Sequence, residues 1–347
     1  RIMAYTTINK STNYFNTKLY TGTGSSLALT GVGHQPDMVW QKVRSTTSSH
    51  RITDAVRGVG QVIYPNDTAQ QSAESAVTAF GTDGFTVGTA SGTNTNGATY
   101  VAWSWKAGAG QGSSNTDGSI NTTYTSVNTT AGFSISKYTG TGSNATVGHG
   151  LGVVPKCFIL KKTSDTSAWS MYHESIGNTK FLTLNSTAAE TTGSTVWNNT
   201  SPTSSVFSVG TGDNGNASGA TYIAYCFAEK KGFSKFGSYA GNGNADGTFI
   251  YTGFKPAWVM VKRTDSADSW FMYDNKRSTF NVVDDYLIAS SSGAENTTSV
   301  VNLDLLSNGF KLRNTDGGHN NSSGTYLFMA FAEAPLVGTN NIPATAR

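Results

Sequence analysis

The chain has 347 residues, with 49 Thr, 40 Ser, 39 Gly and 28 Asn, whereas Asp, Glu, Lys and Arg together supply only 45. The scarcity of helix formers argues against a mainly helical protein, and the abundant Thr, aromatic and Gly residues favour strands joined by turns. A net charge of +3 with no basic run predicts no nucleic-acid partner, and the lack of an 18-residue apolar stretch predicts no membrane insertion.

Aromatic residues distinguish the chain from a disordered Gly/Ser/Thr/Asn linker. The 17 Phe, 15 Tyr and 7 Trp are spread over its whole length and can anchor several packed cores. The start of the sequence does not resemble a signal peptide. Met3 resembles a translation start, which leaves Arg1 and Ile2 unexplained.

One pattern occurs three times along the chain. Each copy opens with a Phe and then a Tyr followed by a Gly-rich turn, at Phe15 and Tyr20–Gly24, Phe133 and Tyr138–Gly142, and Phe233 and Tyr239–Gly243. A proline then begins an apolar run that ends in basic residues, at 36–44, 155–162 and 256–263. Each copy closes on Gly, Thr, Tyr and apolar residues, at 97–105, 219–227 and 324–331. A period of this length is that of a domain and not of a solenoid rung.

The repeats predict three domains: residues 1–109 with the N-terminal segment, 110–231 with a linker, and 232–347. The Pro-initiated run is apolar on both faces and predicts a central strand, while the closing run alternates. We therefore expect an all-β fold of three tandem antiparallel β-sandwiches, jelly-roll or concanavalin-like. The Gly/Ser-rich stretch 107–119 predicts a flexible linker, and Ala228–Gly232 a short junction.

Several local features have a structural interpretation. Short helices are candidates at Asn66–Glu74 and Ser186–Glu190, and the Gly-rich turns at Gly22, Gly140 and Gly241 are interpreted as hairpins. Cys157 and Cys226 lie at unrelated positions of the repeat and are expected to be buried, reduced thiols. Trp169 and Trp270 are expected in the core and not as sugar platforms.

We find no catalytic motif and predict that the protein is not an enzyme. The histidines form no metal-ligand pair and are expected in loops or at rims: His34, His50, His149, His173 and His319. No Gly-x-Ser-x-Gly elbow with suitable partners and no clustered carboxylate pair of a glycosidase is present.

Two further sets of polar residues have competing explanations. Asp213–Gly219 and Asn242–Gly247 are possible calcium-binding segments, although tight turns explain both segments without a cofactor. Asp54 with Arg57 recurs as Asp274 with Arg277 but not in the middle copy, which has His173 and Ile176. These pairs predict a surface turn contact worth about 0 to 1 kcal/mol.

The repeated motifs resemble a known group of proteins. The stretch Asn144–Gly152 through Pro155, the Tyr-Thr-Gly-Thr-Gly turns, Asp83–Gly88, the Gly-Ala-Thr-Tyr runs and the closing Ala332–Pro335 with Asn341–Arg347 are similar to repeat proteins of marine tailed bacteriophages, of the cyanophage and pelagiphage type. The resemblance implies a virion structural protein with lectin-like β-sandwich repeats, and it supplies no catalytic residues.

Two functions follow as hypotheses from this resemblance. The first is a tail fibre or other surface appendage that adheres to host-surface glycan through loops. The second is a decoration or structural component of capsid or tail without a ligand of its own. Both place the protein in the virion with other virion proteins as partners, and the analogy with fibres suggests a homotrimer. Exposed loop aromatics in the third repeat but not in the first would favour adhesion. The residues before the first repeat, Arg1–Tyr14, are expected to dock onto a partner.

Overall fold

The computed structural model describes residues 5–335 and Val337. In this part of the chain the fold is all-β: every pair of neighbouring strands in the sheets is antiparallel, and the helices are one 3₁₀ turn, Ser11–Asn13, and four α-helices of four residues each. The antiparallel all-β class expected from composition is therefore confirmed.

The first repeat builds two main sheets. Its elements are β1 (Phe15–Thr21), β2 (Leu27–Thr30), β3 (Met38–Val43), β4 (Arg51–Asp54), β5 (Gln61–Val62), β6 (Ser72–Ala73), β7 (Val77–Gly81), β8 (Gly84–Val87), α1 (Ser91–Asn94) and β9 (Thr99–Trp105). One sheet has the order β1-β9-β3-β4 and the other has the order β2-β8-β7, while β5 pairs with β6.

The second repeat follows the same plan, with one strand added to its larger sheet and one fewer in its smaller sheet. Its elements are β10 (Tyr124–Asn128), β11 (Phe133–Thr139), β12 (Ala145–Gly148), β13 (Cys157–Lys162), β14 (Ser170–His173), β15 (Lys180–Thr183), β16 (Thr191–Thr192), α2 (Ser194–Trp197), β17 (Val206–Val209), α3 (Asp213–Asn216) and β18 (Thr221–Phe227). The large sheet has the order β10-β11-β18-β13-β14-β15-β16, and β12 pairs with β17.

The third repeat again contains a larger and a smaller sheet. Its elements are β19 (Ser234–Ala240), β20 (Phe249–Tyr251), β21 (Phe254–Arg263), β22 (Trp270–Asp274), β23 (Leu287–Ile288), β24 (Leu303–Leu306), β25 (Gly309–Leu312), α4 (Gly317–Asn320) and β26 (Thr325–Pro335). The sheets have the orders β19-β26-β21-β22-β23 and β20-β25-β24.

The Pro-initiated strand is central in every repeat, as its apolar faces predicted. It lies between the closing strand and the strand that follows it in sequence: β3 between β9 and β4, β13 between β18 and β14, and β21 between β26 and β22. Every residue of β3 and β13 is buried. Burial on both faces requires a cover on each side of the larger sheet. The smaller sheet of the same repeat supplies one of these covers.

The second cover comes from the neighbouring repeats. Trp105, Phe227 and Phe331, which occupy equivalent positions in the three closing strands, contact one another with ring centroids 5.7 to 6.5 Å apart. They lie in one hydrophobic core that combines residues of all three repeats. The repeats therefore pack around a common pseudo-threefold axis, which the sequence did not indicate.

Three equivalent contacts, here called the clasps, close this arrangement into a ring. The indole Nε1 of Trp169 donates to the carbonyls of Tyr64 and Asp67 in the first repeat. In the next clasp the corresponding donor is Trp270, which bonds the carbonyls of Thr183 and Ser186. In the third clasp Nε2 of His50 bonds the carbonyl of Ile288. The clasps therefore join the second repeat to the first, the third to the second, and the first to the third.

The clasps explain why the helix predictions were wrong. Segments 66–74 and 186–190 contain no helix, because their backbone groups bond other segments, including the neighbouring repeat, instead of groups four residues away. Gln71 N, for example, donates to Thr163 O, and Glu190 N donates to Thr264 O. Tertiary hydrogen bonds override a weak local helix preference in such short segments.

The linker between the first two repeats is held in place, contrary to the expectation of flexibility. The carboxylate of Asp37 accepts hydrogen bonds from the backbone N–H groups of Ala107, Ala109 and Gly110, at 2.7 to 3.1 Å. The linker then continues into β10, which pairs with β11 and is the outermost strand on that side of the sheet. It therefore covers a sheet edge and does not act as a spacer.

The residues before the first repeat are also part of the fold. Ile8 is buried in the shared core, the hydroxyl of Tyr5 donates to the carbonyl of Gly253 at 3.3 Å, and Lys231 Nζ lies 4.2 Å from the centre of the Tyr5 ring. Residues 5–14 therefore pack against other parts of this chain, and docking of Arg1–Tyr14 onto a partner stays a prediction. Arg1–Ala4 and Asn341–Arg347 lie outside the described residues.

Candidate functional site

The histidines are buried and none lies at an exposed rim, although His34, His50 and His149 lie in loops as expected. His34, His50, His149, His173 and His319 are each at most 3% exposed, and each ring bonds a neighbouring backbone or side-chain group. Burial lowers the pKa of all five imidazoles, to about 4 for His34 and His173, because desolvation penalises the charged form. They are neutral structural groups near pH 7.

The repeated Asp–Arg pairs are buried and not at the surface, so the surface interpretation was also wrong. Arg57 Nε contacts Asp54 at 2.5 Å, and Arg277 Nε contacts Asp274 at 2.6 Å. Each carboxylate also accepts from the next repeat in the ring: Asp54 from Tyr225, and Asp274 from Trp103. The pairs therefore connect repeats, a role that adjacent sequence positions could not reveal.

Three buried asparagines that the sequence analysis missed hold the Gly-rich turns. Asn216 accepts from Thr141 N and donates to the carbonyls of Ser143 and Gly210. Asn94 and Asn320 make the corresponding contacts in the other repeats. The Gly-rich turns dock on these amides and join strands of different sheets, so they are not hairpins. The recurrence of Asn six residues before the closing Tyr was the available signal.

The calcium candidates contain carboxylates that already have cationic partners. Asp213 bonds Lys162 at 2.8 Å, and Asp246 bonds Lys311 at 2.7 Å. Within residues 5–335 no three His, Cys, Asp or Glu side chains form a group that could hold a metal ion. Turn geometry and these ion pairs explain both segments.

The remaining singled-out residues belong to the core, as predicted. Trp169 and Trp270 are fully buried, so neither can serve as an exposed sugar platform. Cys157 and Cys226 are buried free thiols. Burial raises the pKa of both thiols, which keeps them protonated. These residues stabilise the fold and leave no reactive group at the surface.

Positions that are alike in all three repeats are explained by the ring, so a specific site is best sought where the repeats differ. The outer face of the smaller sheet in the third repeat is such a place. There Phe249 is 43% exposed and Tyr251 is 59% exposed. Large aromatic rings are seldom left in water on a folded surface without a role in contacts.

The pairing register of this sheet explains why the rings of Phe249 and Tyr251 point outward. Ile250 pairs with Phe310, and both side chains are buried against the core. Because side chains alternate along a strand, the residues on either side of Ile250 point outward. Phe249 therefore lies opposite Lys311, and Tyr251 lies opposite Gly309.

Beside the two rings the sheet has a glycine, which leaves its surface flat, and several charged side chains. A Cβ atom at Gly309 would collide with the carbonyl of Ile250 and lie 3.0 Å from the ring of Phe249, so only glycine fits under this ring. Asp304 pairs with Lys311 in the register and lies 3.4 Å from Arg313. We call this surface the aromatic face, formed by Phe249, Tyr251, Asp304, Gly309, Lys311 and Arg313.

The other two repeats lack such rings. The register places Ala28 and Thr30 of the first repeat, and Thr146 and Gly148 of the second, where the third has Phe249 and Tyr251. On the far edge of the same sheet, Val283 bridges Leu303, and the neighbouring Val282 and Phe280 are exposed, Phe280 at 84%. Exposed aromatic residues thus belong to the third repeat and not to the first.

The protein is all-β, and this face of its third repeat exposes two aromatic rings beside charged side chains. In the part of the chain that the structure describes, no helix has the length and hydrophobicity needed to span a bilayer. Residues 10–335 match the family model described as Domain of unknown function (DUF7483), and the chain belongs to that family. A search of curated proteins gives no significant match.

Proposed function

We propose that this chain is a non-enzymatic structural protein of a bacteriophage virion, in a tail fibre or similar surface appendage, and that the aromatic face of its third repeat binds host-surface glycan. The observation that carries the proposal is the exposure of Phe249 and Tyr251 where the equivalent positions hold Ala28 and Thr30 or Thr146 and Gly148. The phage origin rests on the resemblance of the repeated motifs.

The chemistry of the face suits a saccharide. The C–H groups on one side of a pyranose ring pack against an aromatic ring, and this contact removes apolar surface of both partners from water. The sugar hydroxyls then need partners at the edge of the ring. Asp304 offers acceptors, while Lys311 and Arg313 offer donors.

We propose that each repeat is a two-sheet β-sandwich of the jelly-roll or concanavalin-like type, because each combines a larger sheet of common strand order with a smaller one. A homotrimer remains a prediction. The ring already supplies within one chain the threefold packing that a trimer interface would provide, through the contacts of Trp105, Phe227 and Phe331.

A binding experiment with a repeat-matched variant tests this function. The purified chain is screened on a glycan array, and the dissociation constant of the best glycan is compared with that of the double variant F249A/Y251T, which carries the residues of the first repeat. Loss of about 1.5 kcal/mol or more for each ring weakens binding at least about a hundredfold. The control T30A changes the equivalent position in the first repeat and should bind normally.

Two outcomes would contradict the proposal. Either no glycan binds the wild-type chain, or the double variant binds as the wild type does. The second outcome would place the glycan elsewhere on the molecule. Competition with phage adsorption adds a functional readout, since a saturating amount of an adhesion protein should block its own receptor.

A structural role without a ligand is the second candidate. It is favoured by Phe280 and by Val300, which is 64% exposed, because exposed apolar groups on the third repeat also suit contact with another virion protein. In that case F280A should reduce incorporation into particles, whereas F249A/Y251T should leave adsorption unchanged.

A further inference from the structure

An open groove of about 530 Å³ lies between the second and third repeats, and its lining shares no residue with the aromatic face. Exposed hydroxyls of Ser175, Ser238 and Thr325 line it. The ion pair of Lys180 with Glu190 adds donors and acceptors at one side. This volume is within the 300–1,000 Å³ range that is typical of ligand sites.

The groove exists because the second repeat departs from the pattern of the other two. At the interface between the first and second repeats, Arg57 follows Asp54 and its guanidinium bonds Gln61 O and Gln71 Oε1. At the interface between the third and first repeats, Arg277 follows Asp274 and bonds Glu295.

At the interface between the second and third repeats, the equivalent positions hold His173 and Ile176. His173 bonds the carbonyl of Phe328, and Ile176 lines the groove. A long cationic side chain is therefore replaced here by a short aliphatic one, and the space beside it stays open to solvent.

The third repeat widens the same space from the opposite wall. Ser238 lies opposite Leu327 in the register, as Leu19 lies opposite Val101 and Lys137 lies opposite Ile223. A serine thus replaces the larger side chains Leu19 and Lys137 of the other repeats. Changes on both walls of one interface combine to form the groove.

The lining chemistry selects the class of ligand. Lys180 and Glu190 neutralise each other, so the groove carries no net charge to attract an anion or a cation. Hydroxyls, one ammonium and one carboxylate offer both donors and acceptors beside the partly exposed side chain of Ile176. We propose that this groove is a binding site for a neutral saccharide, a second glycan subsite that rests on the proposed glycan-binding function but is separate from the aromatic face.

Calorimetric titration of the full chain with neutral disaccharides tests the proposal. The probes are maltose, cellobiose, lactose and mannobiose, each up to millimolar concentration, and backbone amide NMR shifts locate the site. The variant S238L places in the groove the residue that the first repeat has at position 19. It should weaken disaccharide binding about tenfold or more, and the wild-type shifts should centre on Ser175, Ser238 and Thr325.

Two control variants separate this site from the aromatic face. K137L places a leucine at the equivalent position of the second repeat and should bind like the wild type. F249A/Y251T should also bind the disaccharides like the wild type. Circular dichroism and urea midpoints show that each variant is folded.

Each result has a distinct meaning. Weaker binding in S238L alone supports the groove. Loss in F249A/Y251T with normal binding in S238L overturns the groove and keeps the proposed function. If none of the four disaccharides binds, or if the shifts lie elsewhere, the groove is not a saccharide site, whatever the aromatic face binds on the array.

Discussion

Beside the clasp of His50 and Ile288, one carboxylate bonds both the third and the first repeat, which makes ring closure testable with a single substitution. Glu295 accepts from Arg44 of the first repeat at 2.7 Å and from Arg277 of the third at 3.1 Å. The side chain of Arg277 is fully buried, and that of Glu295 is 7% exposed. E295A removes both contacts at once and leaves Asp274 as the one carboxylate that still bonds Arg277.

The expected loss of stability depends on which bonds Arg277 and Arg44 keep after the substitution. Breaking a buried ion pair typically costs about 3 to 5 kcal/mol, because the remaining charge is uncompensated. Here Arg277 keeps its bond to Asp274, and Arg44 is partly exposed and can regain water. We therefore expect E295A to lower the free energy of unfolding by about 3 kcal/mol, the lower end of that range.

Urea unfolding followed by tryptophan fluorescence measures this loss. Because the repeats share one core, the wild-type chain should unfold in a single transition. Two controls set the scale. E295Q places a glutamine where the first repeat has Gln71 and should cost less than E295A, and E174A breaks the exposed pair with Lys156 and should cost about 0 to 1 kcal/mol.

A loss in E295A no larger than that in E174A would refute the reasoning, because the carboxylate would then contribute no more than a surface charge. Separate transitions for the repeats in the wild-type chain would also contradict the ring, since packing around Trp105, Phe227 and Phe331 couples them.

Two further predictions concern acid stability and the N-terminal segment. The pKa of His34 and of His173 is lowered to about 4 in the folded chain, so the unfolded chain binds more protons between about pH 6.5 and 4. Stability should therefore be complete above about pH 6.5 and fall through that window, by up to about 3 kcal/mol for each ring. The urea midpoint of H173Q should vary less with pH than that of the wild type, and an equal slope would contradict this cause. Deletion of residues 1–13 removes Ile8 from the shared core and should lower the free energy of unfolding by at least about 2 kcal/mol; a truncated chain with an unchanged urea midpoint would show that the segment is dispensable for folding.

Much of each repeat could be predicted from the sequence because the relevant patterns are local. The Pro-initiated runs are apolar on both faces, and that pattern placed β3, β13 and β21 at the centre of their sheets. The closing runs, with their alternating side chains, form β9, β18 and β26 as expected. Three copies of one motif set also predicted three similar units.

The arrangement of the repeats required the tertiary structure. A strand with two apolar faces must be covered on both sides, but its sequence does not say which part of the chain supplies each cover. In this protein the smaller sheet of the same repeat supplies one and the neighbouring repeats supply the other. For the same reason Asp54 and Arg57 looked like a surface turn, although Tyr225 of the second repeat buries them.

The candidate site shows the same limit. Phe249 and Tyr251 look in sequence like any aromatic residues of a half-buried strand, and nothing local distinguishes them from Phe15 or Phe133. Composition and periodicity determined that these residues lie in strands. Only the pairing of Ile250 with Phe310 decided that their rings face water, because the register, which long-range contacts fix, sets which side of a strand is buried.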